Sequence, residues 1–176
     1  MAIFEFEDKK PEIDPSAYIS HSADVIGGVV IGPKCFIGPG ARIRGDYGEI
    51  EIGEGTSIQE NCVIHARPGK KTQIGKYVTI GHGAIIHTPT ILDHATIGMG
   101  AIISDYAEIG EWAIVGEGCV VRSKQVIPNR KIVVGVPAKE IGDVDDKLID
   151  LHTNYKKLYS ELGLRYRESL RELTMK

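Results

Sequence analysis

The sequence predicts an all-β solenoid with one C-terminal α-helix, and three observations predict it. Aliphatic residues recur every six positions along most of the chain. Glycine often follows the aliphatic, as at Gly32, Gly38, Gly53, Gly75, Gly81, Gly98, Gly110 and Gly116. The fourth position after the aliphatic takes a small side chain, among them Ala17, Ala23, Ala41, Ala84, Ala95, Ala101, Ala107 and Ala113. A fixed six-residue period is the mark of a repeat built from one short strand and one corner per unit. The aliphatic faces inward, glycine serves where the backbone bends sharply, and the small residue fits a narrow interior. If three such units make one turn, successive turns stack as parallel strands about 4.8 Å apart.

The elements follow in order. Ile3 to Pro11 precede the repeat and are expected to cover the open edge of the first turn. Ile13, Ile19, Val25, Ile31, Ile37 and Ile43 form the first run. Nine residues then separate Ile43 from Ile52, so Gly45-Asp46-Tyr47-Gly48-Glu49 are expected to loop out at a corner. Ile52, Ile58 and Ile64 form the second run, followed by a ten-residue step to Ile74 and a second expected loop, Arg67-Pro68-Gly69-Lys70-Lys71. Loops projecting from a rigid scaffold commonly carry function. Ile74, Ile80 and Ile86 form the third run; after a step of five, Ile91 to Val133 form the fourth. The repeat ends near Val133-Val134-Gly135-Val136-Pro137-Ala138-Lys139. Beyond it Leu148, Leu151, Tyr155, Leu158, Tyr159 and Leu162 recur at helical spacing. Asp143 or Asp145 is the expected cap, and Gly163 ends or interrupts the helix. The helix packs along the solenoid or against a neighbouring subunit. The chain thus divides into a β-helix with its N-terminal cap, 1–139, and a helical segment, 140–176, within a single domain overall.

Composition excludes several classes. The net charge is -3 and no basic block is present, which argues against nucleic acid. Apolar runs are only a few residues long, which argues against a membrane span. The N-terminus carries acids early and lacks the apolar core of a signal peptide, so the protein is expected to be soluble and cytoplasmic. Cys35, Cys62 and Cys119 all fall in the small-residue slot and are expected to be structural.

The repeat also fixes which side chains are neighbours. His65 follows Ile64 and His87 follows Ile86, so the two histidines occupy one column in adjacent turns, with Arg44 one turn below. His82 lies two residues after Ile80 on the preceding face, where Glu60 stands one turn below beside Gln59. Within one chain a corner separates His82 from the other two. In a closed threefold oligomer a neighbour's face can bring His82 across. Three imidazoles with an open fourth position describe a catalytic zinc site. His21, His94 and His152 lack partners at ligand spacing and read as solvated surface residues.

These segments carry a resemblance. Arg44-Gly45-Asp46, Gln59-Glu60-Asn61 with His65, Ile80-Gly81-His82 with His87, and Gly135-Val136-Pro137-Ala138-Lys139 resemble the gamma-class carbonic anhydrases and their short-loop relatives, a group that includes ferripyochelin-binding and hexapeptide transferase proteins. The resemblance implies a three-sided, left-handed parallel β-helix, against the right-handed rule for ordinary parallel crossovers. It implies a homotrimer with Zn2+ (alternates Fe2+ or Co2+) at each interface, on His65 and His87 of one subunit and His82 of the next. It implies that Gln59 positions a metal-bound hydroxide, that Glu60 is the nearby acid, and that Tyr159 or Tyr155 reaches the site from the helix. Arg44 and Asp46 match an interfacial pair and are read as holding the trimer together. The implied reaction is reversible CO2 hydration of a small-molecule substrate by zinc-bound hydroxide. The chain departs from the prototype in three places: the acidic proton-shuttle loop is replaced by the basic residues 67–71, a glutamate by Tyr47, and an arginine by Gly142. Hydration limited by proton transfer is therefore expected. Two other functions compete: acyl transfer from a thioester, with one interface histidine as base, and a metal-binding carrier with little catalysis.

Overall fold

The computed structural model describes residues 2–173; positions 1 and 174–176, at the outer bounds of the division above, lie outside the described residues. The repeat folds as its period requires, into a left-handed parallel β-helix of about seven turns followed by one helix. On one face the two-residue strands Tyr18–Ile19, Phe36–Ile37, Ser57–Ile58, Thr79–Ile80 and Thr96–Ile97 stack in parallel, each aliphatic directly above the last. The inward aliphatics are sealed: Ile37, Ile43, Ile58, Ile64, Ile80, Ile86, Ile97 and Ile103 are all 0% exposed. Full burial of such a side chain contributes about 1.5–3 kcal/mol, so this column is the main source of stability. The small-residue slot lies inside the same core. Cys62 and Cys119 are 0% exposed there, and all three cysteines are unpaired. Burial pushes the Cys35 thiol up to about 12 and that of Cys62 to about 11, so neither is a thiolate at neutral pH.

The N-terminal segment does cover the first edge. Ala2–Phe4 pairs in parallel with Asp24–Ile26, and Glu12–Ile13 pairs with Val30–Ile31.

The first insertion is not a loop. Arg42–Ile52 is one continuous strand that passes around a corner, paired with Asp24–Ile31 on one side. The register shifts between Gly27 and Val29 to absorb the extra residues. Glycine makes this possible, because a Cβ on Gly45 would stand 2.5 Å from the Gly28 carbonyl oxygen. The second insertion lies down on the first instead of projecting. A Cβ on Gly48 would stand 2.4 Å from the carbonyl oxygens of both Arg67 and Lys70. Behind it, two threonines take up the irregular spacing. The Thr72 hydroxyl donates to the His65 carbonyl at 2.7 Å and accepts the Thr88 amide at 3.1 Å. The Thr88 hydroxyl accepts the Arg67 amide at 3.0 Å. These bonds hold the backbone immediately after His65 and His87.

The helix spans Asp146–Ser169, and the Asp145 carboxylate caps it by accepting the Leu148 amide at 2.8 Å. It runs through Gly163, which does not end it. Its packing face also differs from the expected stripe: Leu151, Tyr155 and Leu158 are 46%, 54% and 57% exposed, whereas Lys156 and Gly163 are buried. The reason lies in the face it covers, whose outward residues include Tyr18, Phe36, Ser57, Thr79 and Thr96. The threonines select polar partners. Lys156 Nζ donates to Thr79 Oγ1 at 3.3 Å, Thr96 Oγ1 at 3.1 Å and the Ala95 carbonyl at 3.1 Å, and His152 Nδ1 lies 3.0 Å from Thr96 Oγ1. The aromatics select a smooth surface, with Gly163 against Tyr18, and Tyr159 and Tyr166 edge-on to Phe36. Periodicity in the helix alone could not reveal that its partner surface is half polar.

Burial draws the Lys156 ammonium down to about 7, far below the ordinary lysine value. The unfolded chain therefore holds this proton more tightly than the folded chain between about pH 7 and pH 10, and stability from this group rises with pH across that window. Burial first, then the Lys156 charge, pushes His94 and His152 down, so their contributions fall below the ordinary histidine range. Thermal unfolding of the wild type should gain on that of Lys156→Met between pH 7 and pH 9.5. Parallel curves for the two proteins would contradict the assignment.

Candidate functional site

The strand register brings the predicted column together. His87 pairs with His65, and His65 pairs with Arg44 one turn below. His65 Nδ1 lies 3.1 Å from His87 Nε2. Each imidazole has its other nitrogen on a carboxylate. His65 Nε2 is 3.0 Å from Asp46 Oδ1, and His87 Nδ1 is 2.6 Å from Asp105 Oδ1. Burial raises the Asp46 carboxyl, but the Tyr47 amide, Arg44 and His65 outweigh it and bring the carboxyl to about 2. The Arg67 hydrogen bond, against burial and with help from His87, brings Asp105 to about 2 as well. Both acids are thus ionised and accept N–H from the histidines. That assignment leaves two lone pairs facing each other across 3.1 Å, an arrangement resolved by one proton or one cation between the rings.

Asp105 escaped the sequence reading. The signal was present: Ile103 and Val121 continue the column of Ile64 and Ile86, which places Asp105 just past the next turn's column position and within reach of His87. Arg67, the first residue of the expected basic loop, binds Asp105 at 2.7 Å and so belongs to this cluster. Arg44 pairs with Asp46, which in turn holds His65, so that pair touches the site directly.

His82 stands on the other face, as counted. Its Nδ1 is 2.5 Å from Glu60 Oε2, and its Nε2 has no protein partner among the described residues. Gln59, next to Glu60, is 5% exposed. Tyr159 is the tyrosine that reaches this group. Burial raises its phenol, the Glu60 charge adds to that, and a hydrogen bond with Gln59 opposes it. Tyr155 is 54% exposed on the far side of the helix. Within one chain, and among the described residues, no three His, Cys, Asp or Glu side chains surround a common point.

Of the three histidines read as solvated, only His21 is exposed. His94 is stacked between Tyr77 and Trp112, with ring centroids 5.4 and 4.3 Å away. His152 is half-buried on Thr96. The corner ladder was open to counting, since Tyr77, His94 and Trp112 each lie three residues after the paired Ile74, Ile91 and Ile109, whereas the helix contact was not.

No family model matches the chain. Whole-chain relatives do. It is 37% identical over 174 residues to the carnitine operon protein CaiE of Proteus sp. (strain LE138), covering 99% of this chain and 88% of that protein. The chain belongs to the CaiE family of hexapeptide-repeat proteins. The CaiE of Escherichia coli K12 is 36% identical over 172 residues, covering 98% of this chain and 88% of its own length. Two crystal structures share the whole fold. One is a Bacillus cereus protein assigned provisionally as an acetyltransferase, with TM-score 0.92, 34% identity, and coverage of 97% of this chain and 98% of that one. The other is a hexapeptide transferase family protein from Anaplasma phagocytophilum, with TM-score 0.87, 33% identity, and coverage of 94% and 98%. A hexapeptide-repeat acetyltransferase from Vibrio cholerae, complexed with acetyl coenzyme A, matches 66% of this chain and 71% of its own at TM-score 0.56 and 25% identity.

These relatives overturn the carbonic anhydrase reading, and with it the classes lyase and zinc protein. CaiE proteins and hexapeptide transferases share the scaffold, and a scaffold fixes where a histidine stands without fixing which substrate meets it. Among the described residues, no helix of this CaiE-family chain is long and apolar enough to cross a membrane.

Proposed function

We propose that this CaiE-family chain is an acyltransferase that uses a coenzyme A thioester, with its site formed between subunits of a homotrimer. The observation that carries the reading is His82, oriented by Glu60 at 2.5 Å with Nε2 left open, beside Gln59 and Tyr159. In that arrangement Nε2 takes the proton from an acceptor hydroxyl or amine as the acceptor attacks the thioester carbonyl. The C–S bond then breaks, and the departing thiolate takes the proton from His82. The Vibrio cholerae relative bound to acetyl coenzyme A supports the donor class. The trimer is supported by a row of outward aliphatics, Val63, Ile85 and Ile102, in register on the histidine face and 42%, 42% and 37% exposed. Each of the first two lies two residues before His65 or His87, so a subunit covering the row also meets the histidines.

Acyl transfer is tested with acetyl coenzyme A and a panel of small alcohols and amines, following thiol release and acylated product together. The expected result is acceptor-dependent release. Release at the same rate without any acceptor would indicate a hydrolase, and no release across the panel would reject the reading.

A further inference from the structure

We propose that the cavity between the helix and the solenoid corner is a binding site for a small carboxylate with an apolar body. The cavity holds about 370 Å³ and is lined by Lys34, Tyr77, His94, Thr153, Lys156, Lys157, Ser160 and Glu161. It lies away from both histidine groups, and the proposal does not depend on acyl transfer. Its distinctive member is Lys156, 5% exposed in the middle of a helix. The groups that reach its ammonium are two threonine hydroxyls and one carbonyl, all uncharged. Among the described residues no carboxylate pairs with it. A lysine buried among neutral partners is costly in its charged form, and a carboxylate beside it would stabilise that form. Lys156 lines an open cavity through which a carboxylate can reach it.

The lining selects the ligand class. Lys34 is committed to Glu54 at 3.6 Å, and Glu161 at the wall offsets the charge of Lys157, so the single charge of Lys156 is left to match and a dianion such as phosphate is disfavoured. The rings of Tyr77 and His94 and the lysine stems offer apolar surface for the body of the ligand. The Thr153 hydroxyl stands on the helix side as a hydrogen-bond donor, and that of Ser160 donates to the Lys156 carbonyl at 3.5 Å and can accept. The aromatic rings themselves are held rigid by the Tyr77–His94–Trp112 stack, so the wall is pre-formed.

The test uses the full chain with butyrate, benzoate and inorganic phosphate as probes, read by calorimetry and by amide NMR shifts. Butyrate or benzoate should bind saturably and shift the amides of Thr153, Lys156 and Ser160, with phosphate at least tenfold weaker. Lys156→Met should weaken carboxylate binding at least tenfold. Thr153→Trp, which fills the cavity and leaves Lys156 in place, should do the same and guards against a fold defect in the first variant. Three results would overturn the proposal: no saturable carboxylate binding, phosphate binding as tightly as carboxylate, or Thr153→Trp binding like the wild type.

Discussion

Replacing His82 by asparagine should lower acyl transfer about 10²–10⁴-fold, the usual worth of a positioned general base. Its side chain is 45% exposed and bonded only to Glu60, so the solenoid and its core should be unaffected. Glu60→Gln should fall between wild type and His82→Asn, because it loosens the ring without removing it. Steady-state rates with acetyl coenzyme A measure both, alongside circular dichroism to show an intact fold. If His82→Asn kept more than a tenth of wild-type turnover, the base would have to lie elsewhere.

The second large effect concerns assembly. Ile85→Glu places a carboxylate in the middle of the aliphatic row of Val63, Ile85 and Ile102. Burying an ionised carboxylate without a partner costs several kcal/mol at each interface, and a closed trimer repeats that cost three times. The variant should run as a single 19.2 kDa chain in light scattering. It should keep its β-helix spectrum, since Ile85 points outward and the inward Ile86 is untouched. It should also lose transfer activity, because the site proposed between subunits would no longer form. A wild type that is itself a single chain, or a trimeric variant, would remove the interface from this face.

Much of the candidate site could be read from residue counting. The stacking of His65 on His87, with Arg44 below, needed only the six-residue period, because parallel register in a solenoid repeats the same pairing every turn. The separation of His82 onto another face, with Glu60 beneath it, followed from the same count. Asp105 was reachable in principle, since it sits one residue past a column position, but only its side-chain rotamer brings it to His87 and Arg67. The choice of Tyr159 over Tyr155 required the rotation of the helix about its axis. The activity was misread because the histidine columns carry a location and leave the reaction open.

The sequence by itself determined the solenoid, its inward column of isoleucines and valines, the small-residue slot that holds the three cysteines, and the helix that follows. Those features rest on local spacing, and local spacing is what a repeat encodes. The tertiary structure alone decided where the spacing breaks. Residues 45–49 became strand because Gly27, Gly45 and Gly48 let neighbouring backbones approach more closely than any side chain permits. The helix turned Lys156 and Gly163 inward, and Leu151, Tyr155 and Leu158 outward, because the face beneath it carries threonine hydroxyls and aromatic rings. A helix's own periodicity describes its apolar residues. Which of its faces is buried depends on the surface it meets, and that surface is assembled from strands up to 150 residues away in the chain.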